Sequence, residues 1–230
     1  MAQRYMSGYA VSDGRAAKAR KAERVLADFL RRDEIAGLRI LDVGCGSGHF
    51  AAHFAGRNSV IGIDVVDQRS TECQGAFEFH LVASELLPFL DESFDVVLSN
   101  QVVAYLSDQP RHFAEIARAL RPGGVAYLAV PNRNFPLEPH HHLPMVNYLP
   151  QRAYMRVLKL LGLYRNEIRL PTYCEIKRMV ANAGLTPHDY TVRVLRDPRR
   201  YAMDSIGFPA LPQFVSVFSP TNIFLLTKSG

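Results

Sequence analysis

Three glycines, Gly44, Gly46 and Gly48, follow the apolar run Ile40-Leu41-Asp42-Val43, and Asp64 closes a second apolar run twenty residues after Gly44. Glycine lacks a Cβ, so a chain carrying three of them at this spacing can turn sharply and let a ligand approach the backbone closely. In nucleotide-binding βαβ units, an acidic residue at about this distance accepts hydrogen bonds from ribose hydroxyls. A second group of reactive types lies in Pro131-Asn132-Arg133-Asn134-Phe135-Pro136-Leu137-Glu138-Pro139-His140-His141-His142. Histidine titrates near neutrality and can accept a proton from a reacting hydroxyl. His140 is the candidate base or substrate ligand, against the alternative of a structural hydrogen bonder. His141 is a further substrate contact, and Glu138 would orient a histidine or bind substrate hydroxyls. Adjacent histidines rarely converge on one ion, and no metal site is expected.

Positioning these groups requires strands that end at one edge. Ile40 to Val43, Ser59 to Asp64, Phe77 to Val82, Phe94 to Asn100 and Val125 to Val130 read as successive strands, mostly continuous apolar runs of the kind buried on both faces of a parallel sheet. Helices are predicted over about 15–32, 49–56, 111–120, 151–161 and 172–183, with Arg121-Pro122-Gly123-Gly124 ending the third and Gly184 the last. Thr191 to Leu195 and Asn222 to Thr227 read as two closing strands. The expected fold is α/β, a Rossmann-like doubly wound seven-stranded sheet, mostly parallel with one antiparallel edge strand and an insertion after strand five. Residues 1–230 are expected to form one domain, with 1–33 as a helical cap and 131–171 as a substrate-side lid. Open sheets of this type bind ligands beyond the carboxyl ends of their strands. The glycine turn, Asp64, the Ser84 loop, Asn100 and the 131–145 loop would all fall on that edge.

Composition narrows the class. The chain has 230 residues, 48% hydrophobic and 21% charged, which suits a globular domain. No apolar run approaches the roughly 20 residues that span a bilayer, and the first residues lack the apolar core of a secretory signal. Cys45, Cys73 and Cys174 are scattered without CxxC spacing, which points to reduced thiols and a cytoplasmic setting. The formal net charge of +5 is modest. It allows an anionic substrate or peripheral membrane contact, whereas nucleic acid is not expected, because no aromatic-basic platform appears.

The stretches LDVGCGSG, GID, LPFLDESFDVVLSN and LRPGGVAYLAVPN, in that order within about Leu38 to Asn132, resemble the successive motifs of class I S-adenosylmethionine-dependent methyltransferases (type 11-like). The resemblance implies S-adenosylmethionine as cofactor, with Gly44, Cys45, Gly46 and Gly48 around its methionine portion. Asp42 would orient the loop or meet the ammonium, and Asp64 would hold the ribose. Asn100 and Gln101 would face the sulfonium and the substrate, joined there by Asn132, while Tyr5 or Tyr9 would close over the cofactor from the N-terminal cap. One departure stands out. The position that commonly bears an acidic adenine contact is Ala83, followed by Ser84 and Glu85, so that contact falls to the Ser84 hydroxyl, a main-chain carbonyl or water. The segment EPH…LP…LP resembles bacterial methyltransferases associated with polysaccharide or glycolipid biosynthesis. It implies methyl transfer to a small-molecule or lipid-linked acceptor, at a sugar or glycolipid hydroxyl. A quinone, polyketide or amine acceptor is the first alternative, and a non-catalytic S-adenosylmethionine-binding accessory protein the second.

Overall fold

The computed structural model describes residues 12–83, 86–138, 143–163, 168–205 and 207–228. Its strands are β1 (Arg39–Val43), β2 (Ser59–Asp64), β3 (Glu78–Leu81), β4 (Phe94–Asn100), β5 (Leu120–Pro131), β6 (Leu185–Asp189) and β7 (Thr221–Lys228). The helices are α1 (Ser12–Leu30), α2 (His49–Ala55), α3 (Gln109–Ala119), α4 (Gln151–Leu160), α5 (Tyr173–Asn182) and α6 (Thr191–Arg196). One seven-stranded sheet runs in the order β3-β2-β1-β4-β5-β7-β6. β1 to β5 pair in parallel, and β7 is antiparallel to both β5 and β6. The expected antiparallel strand is thus β7, lying one place in from the edge.

Alternation along the central strands builds two cores. Ile40, Val60, Val96, Leu98 and Tyr127 face α1 and α2, meeting Val25, Leu26, Phe50 and Phe54. Their neighbours Leu41, Ile61, Val97, Ala126 and Leu128 face α3 and α5, meeting Phe113, Ile116, Ile176 and Val180. Both faces are covered, which explains why these strands lack polar alternation. α5 opens on a capping box, in which the Thr172 hydroxyl accepts from the Glu175 amide and the Glu175 carboxylate accepts from the Thr172 amide.

Three expectations need revision. Thr191 to Leu195 is helix α6, and the strand beside β7 is the preceding Leu185–Asp189. Val192 and Val194 alternate with Arg193 and so mimic a strand, while Pro187 disguises the real one. Proline is tolerated in β6 because that strand is at the sheet edge. Strand β5 begins at Leu120, where helix α3 ends. Residues 121–124 form an irregularity within it, where the pairing register with β4 shifts between Phe94 and Val96. β3 is an edge strand with Glu78, His80 and Leu81 exposed, so it is not one of the doubly covered runs.

Candidate functional site

The glycine turn is pinned at two glycines and open at the third. Gly44 has φ +67, and a Cβ there would lie 2.6 Å from Val102 Cγ2. Gly48 has φ +85, and its Cβ would meet Cys73 Cβ at 3.0 Å and Phe77 at 3.1 Å. At Gly46 (φ +54) nothing approaches closer than 4.0 Å, where Gln68 Nε2 and Gly44 O lie. The amides of Gly44 and Cys45 both donate to Ile63 O, at 2.8 and 3.0 Å, tying the turn to the end of β2. The Asp64 carboxylate completes the tie: Oδ2 accepts from the Gly46 amide at 2.8 Å, and Oδ1 from the Val65 and Val66 amides at 2.7 and 3.3 Å. The residue expected to meet ribose therefore also holds the cradle, and its carboxylate has lone pairs to spare for further donors.

Asp42 is buried beneath this turn and accepts from the Ala51 amide. Its Oδ2 has no hydrogen-bond partner among the described residues. Burial, with the negative charge of Asp64 adding to it, pushes its pKa up to about 8. An unpartnered buried carboxylate oxygen is costly, and a cationic ligand group would satisfy it. The Cys45 thiol is held well above its ordinary value by burial and by the Asp42 and Asp64 charges, so it packs as a small apolar group rather than as a nucleophile. A Cβ on Gly62 would lie 3.2 Å from its sulfur. His49 is held by its neighbours, with Nδ1 2.9 Å from Ser47 Oγ and Nε2 2.8 Å from Glu72. With Cys73 these two residues make a trio of ligand-type atoms within 4.8 Å of one another.

Half-buried Asn100 and Gln101 stand where β4 meets the same edge. Gln101 adopts φ +64, the left-handed region, and its amide donates to Ala129 O at 2.7 Å. For a residue with a Cβ this conformation costs about 1–2 kcal/mol, a strain typical of functional edges. Just behind, Ser99 Oγ lies 3.0 Å from His112 Nε2 in a buried pair that periodicity does not reveal. Val102 and Gln68, which border the turn, were likewise invisible in the sequence, because a residue's distance to Gly44 or Gly46 is set by the fold.

The segment after β5 closes on itself. Leu137 bridges to Pro144, and the Glu138 amide donates to Leu143 O at 2.9 Å. Glu138 is fully buried, and the Tyr154 hydroxyl of α4 donates to its Oε1 at 3.2 Å. Asn132, expected beside the substrate, is bonded to the surrounding backbone. Its Nδ2 donates to Val217 O and Ser219 O at 2.8 and 3.0 Å, and its Oδ1 accepts from the Asn134 amide at 3.1 Å. Buried to 1% exposure, this amide ties the 217–219 backbone to the end of β5. Tyr5, Tyr9, Ser84, Glu85, His140 and His141 lie outside the described residues. The structure thus brings Asp42, Gly44, Cys45, Gly46, Gly48 and Asp64 together. Asn100 and Gln101 stand on the same sheet edge, and Glu138 is in the insertion that follows it.

Residues 41–128 match the family profile described as Methyltransferase domain. Over 122 residues the chain is 34% identical to a protein of Sinorhizobium medicae named ubiquinone biosynthesis O-methyltransferase, an alignment covering 50% of this chain and 49% of that protein. The chain therefore spans about half the length, or less, of the curated relatives it matches. Its fold superposes on an S-adenosylmethionine-dependent methyltransferase from Mesorhizobium loti with a TM-score of 0.60 at 17% identity, covering 89% of this chain and 97% of that one. The cyclase SpnF shares the fold at a TM-score of 0.56 and 17% identity, covering 97% of this chain and 84% of its own. Likeness at this identity establishes architecture, the seven-stranded Rossmann-like methyltransferase fold, and leaves the reaction to be argued from the site.

Proposed function

We propose that this chain, whose residues 41–128 match the Methyltransferase domain profile, transfers a methyl group from S-adenosylmethionine to a hydroxyl of a small-molecule or lipid-linked acceptor. The observation that carries the reading is the cradle itself. Gly46 is open to a ligand, Asp64 has acceptor capacity beside it, and Asp42 Oδ2 is buried without a partner. These three features suit a ligand with a ribose and an ammonium group. When bound, S-adenosylmethionine supplies an electrophilic methyl on a sulfonium.

The chain's own work is to bind, align and move a proton. Asp64 accepts from the ribose hydroxyls while its existing bonds keep the Gly46 backbone in place. Asp42 takes the ammonium and gives up the proton that burial makes it hold. Asn100 and the left-handed Gln101 set the floor on which the acceptor lies against the cofactor, the alignment that in-line displacement requires. Glu138, fixed by the Tyr154 hydroxyl, orients the His140 segment, and His140 receives the acceptor's proton.

A sugar hydroxyl is the first acceptor class, on the EPH…LP…LP resemblance. A phenolic or quinol hydroxyl is the second, supported by the name of the Sinorhizobium medicae relative. The two differ in their need for a base. A phenol ionises near pH 10, as tyrosine does, whereas an alkyl hydroxyl is far less acidic. Reaction with methyl-labelled S-adenosylmethionine and a panel of sugars and catechols, read by mass spectrometry, tests both. His140→Ala should reduce transfer to a sugar hydroxyl by about 10²-fold or more and transfer to a catechol far less. Cofactor binding with no transfer to any hydroxyl would leave a binding protein in place of an enzyme.

A further inference from the structure

A cleft of about 930 Å³ opens between the N-terminal part of α3 and the length of α5, and its walls carry Arg111, Arg133, Arg169 and Arg178. Two carboxylates share it, and both are engaged in capping helices. Asp108 Oδ1 accepts from the Arg111 amide at 3.0 Å, and Glu175 Oε2 accepts from the Thr172 amide and hydroxyl at 2.8 and 2.9 Å. Arg133 donates to Asn147 O and Leu149 O, at 2.8 and 3.0 Å. Arg111, Arg169 and Arg178 make no side-chain hydrogen bond or close ion pair among the described residues, although the charges of Arg169 and Arg111 reach Glu175 and Glu115 respectively. This contrasts with Arg57, Arg69, Arg118, Arg121, Arg193 and Arg200, each paired to a carboxylate.

The wall beneath these groups is fixed. Buried Gln109 donates from Nε2 to Val103 O at 2.9 Å and to Arg169 O at 2.8 Å. Gln151 Nε2 donates to Ile168 O at 2.7 Å, and the Arg169 amide donates to Ala104 O at 2.8 Å. Ile168 and Leu170 are buried on either side, so the backbone that presents Arg169 is held in place although its side chain is exposed. Like charges gathered around one concavity repel, and low-dielectric walls focus their field on an incoming anion. Planar guanidinium forks match phosphate oxygens in pairs.

We propose that this cleft is a phosphate-binding site, taking a phosphate or diphosphate group carried by a soluble molecule or by a lipid headgroup. The cleft lining includes none of Asp42, Gly44, Cys45, Gly46, Gly48, Asp64, Asn100 and Gln101, and the proposal does not depend on the methyl-transfer reading. The probe is sodium pyrophosphate, titrated calorimetrically into the full chain at low salt, with a parallel co-sedimentation arm using phosphatidylglycerol-containing vesicles. The expected result is saturable pyrophosphate binding that weakens as sodium chloride screens it. It should fall about tenfold or more for each guanidinium removed in Arg169→Ala and in Arg169→Ala/Arg178→Ala. The lysine variants Arg169→Lys and Arg178→Lys should be intermediate, keeping charge and losing the fork. All four substitutions are at exposed side chains, so thermal melting and S-adenosylmethionine affinity should stay within about twofold of the parent. Co-sedimentation lost in the double variant would assign the phosphate to a lipid headgroup, and pyrophosphate binding without co-sedimentation would assign it to a soluble ligand. The proposal is overturned if the parent binds neither probe, or if the double variant binds them as tightly as the parent.

Discussion

Asp42→Asn should flatten part of the protein's pH dependence. The side chain is buried, its Oδ2 lacks a partner, and its pKa is pushed up to about 8 by burial and by Asp64. In the unfolded chain the same group titrates near 3.9. Between those values the folded state holds the proton and the unfolded state has released it, so stability declines as pH rises through this window. One such group contributes a slope of up to about 1.4 kcal/mol per pH unit. From about pH 5 to about pH 7 that amounts to roughly 2–3 kcal/mol. Asparagine keeps a carbonyl to accept from the Ala51 amide and has no charge to hide. The variant should therefore gain on the parent by roughly 2–3 kcal/mol across that interval, read from urea unfolding at several pH values. Every other titratable group is common to both proteins and cancels in the difference. Cofactor binding carries the same signature: if the ammonium draws the proton from Asp42, titration near pH 6.5 should release close to one proton in the parent and none in the variant. Unfolding curves that stay parallel from acid to neutral pH would refute the reasoning.

Gly44→Ala adds a Cβ 2.6 Å from Val102 Cγ2 at φ +67, so it should destabilise the fold by about 2–4 kcal/mol and weaken S-adenosylmethionine binding, both visible in thermal melts with and without cofactor. Tyr154→Phe removes the hydroxyl that donates to Glu138 and leaves that buried carboxylate short of a partner. Stability should fall by about 1–3 kcal/mol, and turnover should drop more than cofactor affinity. Thr172→Ala breaks the capping box of α5 at a cost of about 1 kcal/mol in urea unfolding, with cofactor affinity unchanged.

The parts of the fold that were legible in the sequence are those where one local pattern has one physical solution. β2 and β4 have the expected bounds because an apolar run too short for a helix and flanked by turns has little choice but a covered strand. The glycine turn was legible because three positions at positive φ, Gly44, Gly46 and Gly48, strongly favour glycine. At the other end of the chain Val192 and Val194 satisfied a strand pattern equally well, and only the pairing of β6 with β7 decides between the readings. Asn132 illustrates the limit for polar residues. Its position after a strand at the ligand edge suggests a substrate contact, while its bonds to backbone 85 and 87 residues further along appear only in the fold. The arginine cleft has the same character, since Arg111, Arg133, Arg169 and Arg178 are brought together only by tertiary packing. That Asp64, the expected ribose acceptor, also anchors the Gly46 amide follows from the tertiary fold and not from local pattern.

The most direct test of the central claim is isothermal titration of the cofactor-free protein with S-adenosylmethionine and its demethylated product, repeated with Asp64→Ala. Two charge-assisted hydrogen bonds to ribose are worth about 3–6 kcal/mol. The account predicts micromolar binding of both ligands by the parent and a loss of about 10²-fold or more in the variant. Absence of binding by the parent, or near-normal affinity in Asp64→Ala, would contradict it.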